Sequence, residues 1–372
     1  MNFGTIDALT RCMTRTIATA LAVALLAAAL PGPAHADTNA DPAADKTADA
    51  TGAASDVQDL GGLREVTSAN DITLAPVPRD NSRRNKTISA AAVGGTYVGL
   101  TAWAYFAWYQ DQPANHGFEL GGDGLFERSA YAGGSDKLGH ALGTMAVARL
   151  TSQMLQLGGW DRRKAAIIGG GLSALAFTAV EYADAYYYEF SLGDLGADFL
   201  GAGLAVLLET WPRADELFDF RMEYFPSDEY RSILRGDPGR DPSLDIKKVN
   251  IAEDYSGQTF LLALHLSAFD SLAEKRWTAP LQYLDAVIGF RSDKYRPNPL
   301  PDDTSPPTQH LFIGASLNLQ AVVDRTLAGG GKTRRGVRSA LHGLTEVFNA
   351  PFTSYGIGPK RTCAPPACMT AP

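Results

Sequence analysis

The stretch SLGDLGADFLGAGLAVLLETW, residues 191–211, decides the fold class of the first half of this chain. Ser191 and Asp194 have the spacing of a helix capping box, and the run that follows them is almost entirely apolar. Gly201 and Ala205 recur at helical spacing, and a stripe of small residues lets a second helix approach closely. The stretch therefore predicts a helix, from its second residue onward, that packs against other helices in lipid or in a tight bundle.

Three further apolar segments precede this helix and complete a predicted helical region at residues 85–212. The 23 uncharged residues 87–109 would form a helix of about 35 Å, long enough to cross a bilayer core, and the alternative is a fully buried core helix. The other two segments are residues 136–157 and 162–187, and the short loops between them predict antiparallel neighbours. We therefore expect a membrane-associated four-helix bundle.

Beyond residue 212 the spacing of the apolar residues changes from a helical period to a period of two. Four alternating runs, separated by turn-rich segments, predict strands at residues 218–224, 260–266, 284–290 and 311–319. Four strands cannot close a barrel, so we expect a small antiparallel β-meander whose apolar face packs on the helices. With a terminal amphipathic helix at residues 337–348, this region spans residues 213–350, and the predicted fold class is α+β.

The first 36 residues have the parts of a secretory signal peptide. Arg15 supplies the positive charge, residues 17–30 the apolar core, and Ala34-His-Ala36 the cleavage site. We expect cleavage after Ala36 and export into a Gram-negative-type envelope, to a periplasmic or outer-membrane location, with the inner membrane as the alternative. Residues 37–84 are rich in Ala, Asp and Thr and poor in aromatic residues, which predicts a disordered leader.

Residues 351–372 are expected to form a flexible tail that carries two cysteines, Cys363 and Cys368. In an oxidising periplasm these two can form a local disulfide, and the alternative is a tail with two free thiols. No third and fourth ligand stand nearby in the sequence, which argues against a metal ion held by this pair.

Composition excludes several classes of protein. The chain has 372 residues, a formal net charge of −8 and no basic cluster of the kind that a nucleic-acid binder needs. Its three cysteines are too few for a disulfide-stapled miniprotein or a multi-cysteine zinc module. The run Gly329-Gly-Gly-Lys332-Thr333 lacks the first glycine of a phosphate-binding loop, because that position is Thr326, so we expect no nucleotide.

Ionisable residues inside the apolar helices are the most informative feature of the sequence. They come in pairs three or four residues apart, a spacing that places both members of a pair on one helix face. In an up-down bundle the start of the second helix, the end of the third and the start of the fourth lie on the same side. We therefore expect five carboxylates and one imidazole to converge there, from Asp136, His140, Glu181, Asp184, Asp194 and Asp198.

Some of these residues also have a purely structural explanation. Asp136 suits the helix dipole, and Asp194 completes the capping box. Glu181 and Asp198 are instead embedded in apolar sequence, where a charge at a helix centre in lipid costs about 2.5–3.5 kcal/mol. As a set, the carboxylates raise one another's pKa values unless protons, a metal ion, a cationic ligand or water compensates them.

Three motifs in this region resemble those of a known family: Asp136-Lys-Leu-Gly-His140, Glu181-Tyr-Ala-Asp184 and Ser191-Leu-Gly-Asp194-Leu-Gly-Ala-Asp198. They are similar to the pattern of the YfiM-like family of predicted periplasmic lipoproteins (domain of unknown function 2279) and, more distantly, to VanZ-like membrane proteins. The resemblance covers residues 130–210 and implies a periplasmic location and a polar site, without a reaction. The chain departs from the family because Asp37, rather than a lipobox cysteine, would follow the signal peptide.

Two functions are consistent with this site. The first is a non-enzymatic cell-envelope protein whose polar site orders the bundle or binds a partner, either an envelope protein or a lipid surface. The second is a metal-assisted hydrolase or transferase that acts on a lipid or cell-wall precursor. In that case the metal ligands would be Asp136, His140, Asp194 and Asp198, with Glu181 and Asp184 as the catalytic carboxylates. Oxygen-rich ligands with one imidazole suit Mg²⁺, Mn²⁺ or Ca²⁺ better than structural zinc.

Overall fold

The computed structural model describes residues 83–110, 117–122, 124–237, 251–300, 302–328 and 332–363, in which four long helices precede a seven-stranded sheet. This arrangement confirms the predicted α+β class. The predicted signal peptide, residues 37–82 of the predicted leader and Cys368 lie outside the described residues. Cys363 lies inside them, where it is buried and disulfide-bonded.

The long helices are α1 (Arg83–Ala104, continued as a π-helix over Tyr105–Tyr109), α2 (Ser135–Leu157), α3 (Arg162–Tyr187) and α4 (Leu192–Thr210). Asp161 and Ser191 cap α3 and α4, because each side chain accepts a hydrogen bond of 3.1 Å from a backbone N–H in the first turn. Helices α2, α3 and α4 pack against one another, and α1 lies beside α2 with a smaller contact. The helical region is therefore a three-helix core with a flanking helix, and the four-helix bundle that the sequence predicts is not confirmed.

Among the described helices, α3 is the one that is long and apolar enough to cross a membrane, and 39% of its most apolar window is buried. The sequence pointed instead to residues 87–109. Helix α1 is less apolar than that interpretation requires, because glycine, threonine and aromatic residues dilute its aliphatic side chains. The core helix of a soluble protein can have the same length and composition as α3. Membrane association therefore stays a prediction.

The sheet contains β1 (Phe218–Tyr224), β2 (Gln258–His265), β3 (Leu284–Asp293), β4 (Thr308–Leu317), β5 (Phe348–Asn349), β6 (Tyr355–Ile357) and β7 (Lys360–Thr362). Strands β1 to β4 form the predicted antiparallel meander. The sheet is larger than predicted, because β5 pairs in parallel with β1, and β6 and β7 both pair antiparallel with β4.

In the described part of this region, five shorter α-helices accompany the sheet: α5 (Pro212–Leu217), α6 (Asp228–Arg235), α7 (Asp270–Ala273), α8 (Leu319–Thr326) and α9 (Lys332–Thr345). Helix α9 corresponds to the predicted terminal helix but ends earlier. Phe348, which the sequence places in that helix, is the first residue of β5. The helix stops at this point because the chain pairs with β1.

The helices cover only part of the apolar face of the sheet. Phe220 and Phe260 are buried against side chains of α2 and α4. On the same face, Leu262, Ile288 and Ile313 stand opposite one another on neighbouring strands and are exposed. The prediction that the apolar face packs on the helices is therefore correct for β1 and the start of β2, and wrong for β3 and β4.

The opposite face of the sheet carries a buried ionic network. Arg221 pairs with Asp285, and His265 lies between two carboxylates, with Nε2 3.0 Å from Asp219 Oδ2 and Nδ1 2.8 Å from Asp285 Oδ1. Asn318 donates a hydrogen bond of 2.7 Å to Asp285. All five side chains are buried. Buried charges are costly without partners, so these contacts hold β1, β2 and β3 in the pairing that brings the partners together.

A second ionic cluster joins the helices to the sheet through Arg149 of α2. Its guanidinium lies 2.8 Å from Asp215, 3.1 Å from Glu346 and 4.0 Å from Asp219. Because Asp219 also contacts His265, the two clusters share this carboxylate. Polar as well as apolar contacts therefore connect the helical core to the sheet.

Gly201 marks a close approach between α4 and α2. A Cβ atom at this position would lie 2.1 Å from the carbonyl oxygen of Ala141. We expect Gly201→Ala to push the helices apart and to lower the free energy of unfolding by about 1–3 kcal/mol. The control is Gly203→Ala, whose methyl group would meet nothing within 4 Å and whose helix propensity improves by about 1 kcal/mol. Urea unfolding of both variants checks this prediction, and equal stabilities would contradict it.

Candidate metal centre

The structure places the ionisable residues predicted to converge at one end of the three-helix core. Two lie in the first turns of α2, two in the last turns of α3 and two in the first turns of α4. Successive helices are antiparallel neighbours, so the start of one meets the end of the next. In chain order the residues are Asp136, His140, Glu181, Asp184, Asp194 and Asp198.

A tight turn positions the start of α2. Gly133 and Gly134 have positive φ values of 61° and 84°, which glycine adopts more readily than other residues. The next residue, Ser135, is buried, and its hydroxyl lies 2.8 Å from that of Ser292 in β3. The turn and this contact anchor the first residue of α2 to the sheet, so that Asp136 is held inside the protein.

His140 is the central residue of the site. Its Nδ1 lies 3.2 Å from Asp198 Oδ1 and 3.5 Å from Glu181 Oε1, and its Nε2 lies 3.8 Å from Asp136 Oδ1. The carboxylates are buried, whereas the imidazole is partly exposed. The imidazole of α2 therefore links the ends of α3 and α4.

Lys137 compensates the negative charge on one side of His140. Its Nζ lies 2.8 Å from Asp194 Oδ1 and 3.2 Å from Asp136 Oδ2, and the three side chains are buried. Tyr255 donates its hydroxyl to Asp136 Oδ1 at 2.6 Å. Asp136 and Asp194 thus share the ammonium group of Lys137 as an ion-pair partner.

Asp198 has one oxygen that no described residue of the chain pairs with. The residue is 0% exposed, and its Oδ1 accepts a hydrogen bond of 2.8 Å from the Thr144 hydroxyl. Its Oδ2 has no hydrogen-bond partner among the residues that the structure describes. A buried acceptor without a partner costs about 1–3 kcal/mol, and more when it is charged. A group outside the polypeptide is therefore expected at this oxygen.

The pKa values of the site reflect burial and crowded charges. Burial raises the pKa of Glu181 to about 8. Burial and the charge of Asp136 also raise the pKa of Asp194. For His140, burial alone would lower the pKa, but the hydrogen bond to Asp198 and the charge of Asp136 outweigh it and raise the pKa to about 10. In the absence of another cation, the site thus holds protons that a bound cation would replace.

Asp184 lies at the edge of the site. Its Oδ1 accepts a hydrogen bond of 2.6 Å from the hydroxyl of Tyr109, in the π-helix that follows α1. Burial raises the pKa of Asp184 to about 6. Asp184 therefore connects α1 to the site, and it is not one of the side chains whose donor atoms come together around His140.

Two overlapping groups have the donor atoms and the spacing of a metal site: Asp136, His140 and Asp194, and His140, Glu181 and Asp198, with the donor atoms of each group within 4.8 Å of one another. A neutral imidazole has one free lone pair, so one nitrogen can bind an ion while the other donates its N–H to a carboxylate. Lys137 already compensates the first group. In the described part of the chain, no lysine or arginine forms an ion pair with the carboxylates of the second group.

Sequence reasoning did not identify Tyr255, Thr144 and Tyr109 as part of the site. Tyr255 and Tyr109 lie outside the three core helices and reach the carboxylates through tertiary contacts that no local pattern reveals. Thr144 is different, because it lies four residues after His140 and so on the same face of α2. This spacing could have identified Thr144 as a neighbour of the site.

No curated protein and no solved structure matches the chain. The likeness to VanZ-like membrane proteins stays a prediction. A family model described as a predicted periplasmic lipoprotein (DUF2279) does match, in agreement with the predicted export to the cell envelope. Residues 122–210, which contain α2, α3, α4 and every predicted site residue, are the part of the chain that matches this family of predicted periplasmic lipoproteins.

Proposed function

We propose that this cell-envelope protein binds a divalent cation through His140, Glu181 and Asp198, and that the cation orders the three-helix core. The observation that carries the proposal is the buried Asp198 Oδ2, which has no partner in the described part of the chain. The other oxygen of the same carboxylate, Oδ1, lies 3.2 Å from His140 Nδ1, in the group of residues that no lysine or arginine of the described chain pairs with. A cation would give Oδ2 a partner and compensate both carboxylates.

The spacing of the donor atoms supports this proposal. Ligands about 2.1 Å from an ion lie about 3.0 Å apart at neighbouring octahedral positions. His140 Nδ1 lies 3.2 Å from Asp198 Oδ1 and 3.5 Å from Glu181 Oε1, separations that need only a small adjustment to reach that value. With Nδ1 on the ion, Nε2–H faces Asp136, and a metal-bound histidine commonly donates its other N–H to a carboxylate in this way.

The identity of the ligands indicates the class of cation and its effect on the fold. Two carboxylates and one imidazole favour Mn²⁺, Mg²⁺ or Ca²⁺ as the bound cation. Structural zinc is instead usually held by a thiolate-rich set of ligands. The ligands come from different helices, with His140 on α2, Glu181 on α3 and Asp198 on α4. A cation bound here would hold three helix ends together and stabilise the folded state.

Association of the protein with a membrane is the second part of the proposal. Helix α3 has the length and hydropathy that a membrane helix needs. Large apolar side chains on the outside of the core, such as Leu175 of α3 and Leu200 of α4, are exposed. These features support a lipid surface as the partner, and an envelope protein is the alternative.

The cation is tested by thermal unfolding of chelator-treated protein, with and without Mn²⁺, Mg²⁺ or Ca²⁺. At one hundred times its dissociation constant a cation adds about 2.7 kcal/mol, so we expect the unfolding temperature to rise by about 5–10 °C. Asp198→Asn should lose most of this rise, measured against its own cation-free baseline. Asp293→Asn, which changes a carboxylate on β3 outside the site, should keep it. Equal rises in the two variants, or no rise in the unchanged protein, would contradict the proposal.

A metal-assisted hydrolase or transferase acting on a lipid or cell-wall precursor is the second candidate. The observation that favours it is that three side chains leave coordination positions for water and substrate. In such an enzyme Glu181 would bind the cation instead of acting as a free base, and Asp184 would be the remaining catalytic carboxylate beside the cation. Mass spectrometry of envelope lipids after incubation with the Mn²⁺-loaded protein tests it. Product that forms equally with the Glu181→Gln variant would contradict it.

A further inference from the structure

The sheet exposes large apolar side chains on one face and, on the other, buries charged side chains together with the apolar cluster of Leu261, Ala263, Val287 and Phe312. On one face Ile313, Ile357 and Tyr355 are 68%, 78% and 81% exposed, and Leu262 and Ile288 beside them are also exposed. On the other face the charged network around Arg221 is buried. Antiparallel sheets in water normally bury their apolar face and expose their polar one.

The exposed side chains form a patch that crosses several strands. The pairing places Leu262 of β2 opposite Ile288 of β3, Ile288 opposite Ile313 of β4, and Ile313 opposite Ile357 of β6. Residues directly opposite each other share one face of a sheet, so these four side chains form a row. A contiguous apolar patch of this kind on a folded protein marks a surface that contacts a partner or a membrane.

The edge of the patch has the chemistry of a membrane interface. Tyr355 stands opposite Ala315 on the same face, and an exposed tyrosine beside aliphatic residues is typical of the headgroup region. Arg361 of β7 stands opposite Gln309, also on this face, and is exposed. An arginine at the end of an apolar patch can place its charge on anionic headgroups while its aliphatic stem lies on the apolar surface.

We infer that this sheet face, defined by Leu262, Ile288, Ile313, Tyr355 and Ile357, docks on the surface of a lipid bilayer that contains anionic lipids. The inference rests on the membrane association in the proposed function and is independent of the cation site. It assigns the contact with the membrane to this face of the sheet. The apolar side chains enter the bilayer surface, and the buried ionic network keeps the charges of β1 to β3 away from it.

The test is flotation of the purified mature protein with vesicles of phosphatidylethanolamine and phosphatidylglycerol. The double variant Ile288→Asp/Ile313→Asp, which adds two acidic side chains to the sheet face, is compared with Leu175→Asp, which adds one to an exposed position of α3. All these positions are exposed, so we expect the variants to fold, and their unfolding temperatures are recorded first. We expect the sheet variant to bind vesicles at least tenfold more weakly and the Leu175→Asp variant to bind within twofold of the unchanged protein.

The other outcomes separate the inference from the membrane association on which it rests. If the unchanged protein binds vesicles and Leu175→Asp alone weakens binding, the helices make the contact and the inference is wrong, while membrane association stands. If the unchanged protein does not bind vesicles, both are wrong. If it is a dimer by light scattering and the sheet variant is a monomer with unchanged vesicle binding, a second copy of the chain covers this face and the inference is overturned. If the double variant fails to fold, Ile357→Asp at the edge of the sheet is measured in its place, with the same expectation.

Discussion

Replacement of Arg221 with methionine is expected to lower the free energy of unfolding by about 3–5 kcal/mol. Arg221 is 0% exposed and pairs with Asp285, and its Nε lies 3.7 Å from Asp219 Oδ2. Methionine fills much of the same volume but supplies no charge. Among the described residues, Asp285 then keeps Asn318 and His265 as partners in the middle of the sheet. Urea unfolding monitored by circular dichroism measures the loss.

The matched control for this prediction is Arg291→Met on β3. Arg291 also pairs with an aspartate, Asp293, at 2.6 Å, but its side chain is exposed. Exposed ion pairs contribute about 0–1 kcal/mol, so this variant should remain close to the unchanged protein in stability. A similar loss in the two arginine variants would show that burial of the network is not what makes Arg221 important.

The stabilisation that His265 provides is expected to fall by about 3 kcal/mol as the pH rises from 6 to 10. Burial alone would lower the pKa of His265, but the charge of Asp219 and the hydrogen bonds to Asp219 and Asp285 outweigh it and raise the pKa to about 9. Because the pKa is higher in the folded state than in the unfolded one, the stabilisation is complete below pH 6.5. It is lost as the pH approaches 9, when the imidazolium loses its proton.

This prediction is checked by the difference in unfolding free energy between the unchanged protein and His265→Gln, measured across the same pH range. The comparison with a variant removes the contributions of other titrating groups. His310→Gln is the control, because burial and the nearby cations Lys360 and Arg291 lower the pKa of His310. The difference in unfolding free energy between the unchanged protein and His310→Gln should not change with pH above pH 6.5. A difference for His265→Gln that is equally flat would show that this histidine is neutral in the folded protein.

The core helices could be predicted from the sequence almost to the residue. Helix α3 occupies the predicted residues 162–187, and α2 and α4 differ from their predictions by one residue at one end. The reason is that local signals mark these helices. Asp161 and Ser191 are capping residues, and long apolar runs follow them. The sheet strands β1 to β4 were also visible, because alternation of apolar residues is a local signal, but their ends were less exact: Leu319, predicted to end β4, is the first residue of α8.

The arrangement of these elements could not be predicted in the same way. Strand β5 has two residues, and its parallel partner β1 lies more than a hundred residues earlier in the chain. Alternation shows which side chains share a face of the sheet, but not whether a helix, a lipid or solvent covers that face. The error concerning Ile288 and Ile313 has this origin.

The candidate site, like the fold, was predictable where it depends on local spacing and not where it depends on tertiary contacts. Pairs such as Asp136 with His140 are local, and the antiparallel arrangement of the helices brings the pairs together, so their convergence was predictable. The difference between the two groups of possible ligands was not predictable, because it depends on which carboxylates the Lys137 side chain contacts. The ionic network around His265 was missed for a similar reason, since its partners Asp219 and Asp285 are 46 and 20 residues away in the chain.

The most direct test of the proposed cation site is a crystal structure of the mature protein grown with Mn²⁺, with data collected for anomalous scattering. We expect an anomalous peak bounded by His140 Nδ1, Glu181 and Asp198, with Asp198 Oδ2 among the ligands. No peak should be present at this place in crystals of Asp198→Asn. A structure at saturating Mn²⁺ that shows no peak there, with Asp198 Oδ2 hydrogen-bonded to water or protein instead, would contradict the proposal.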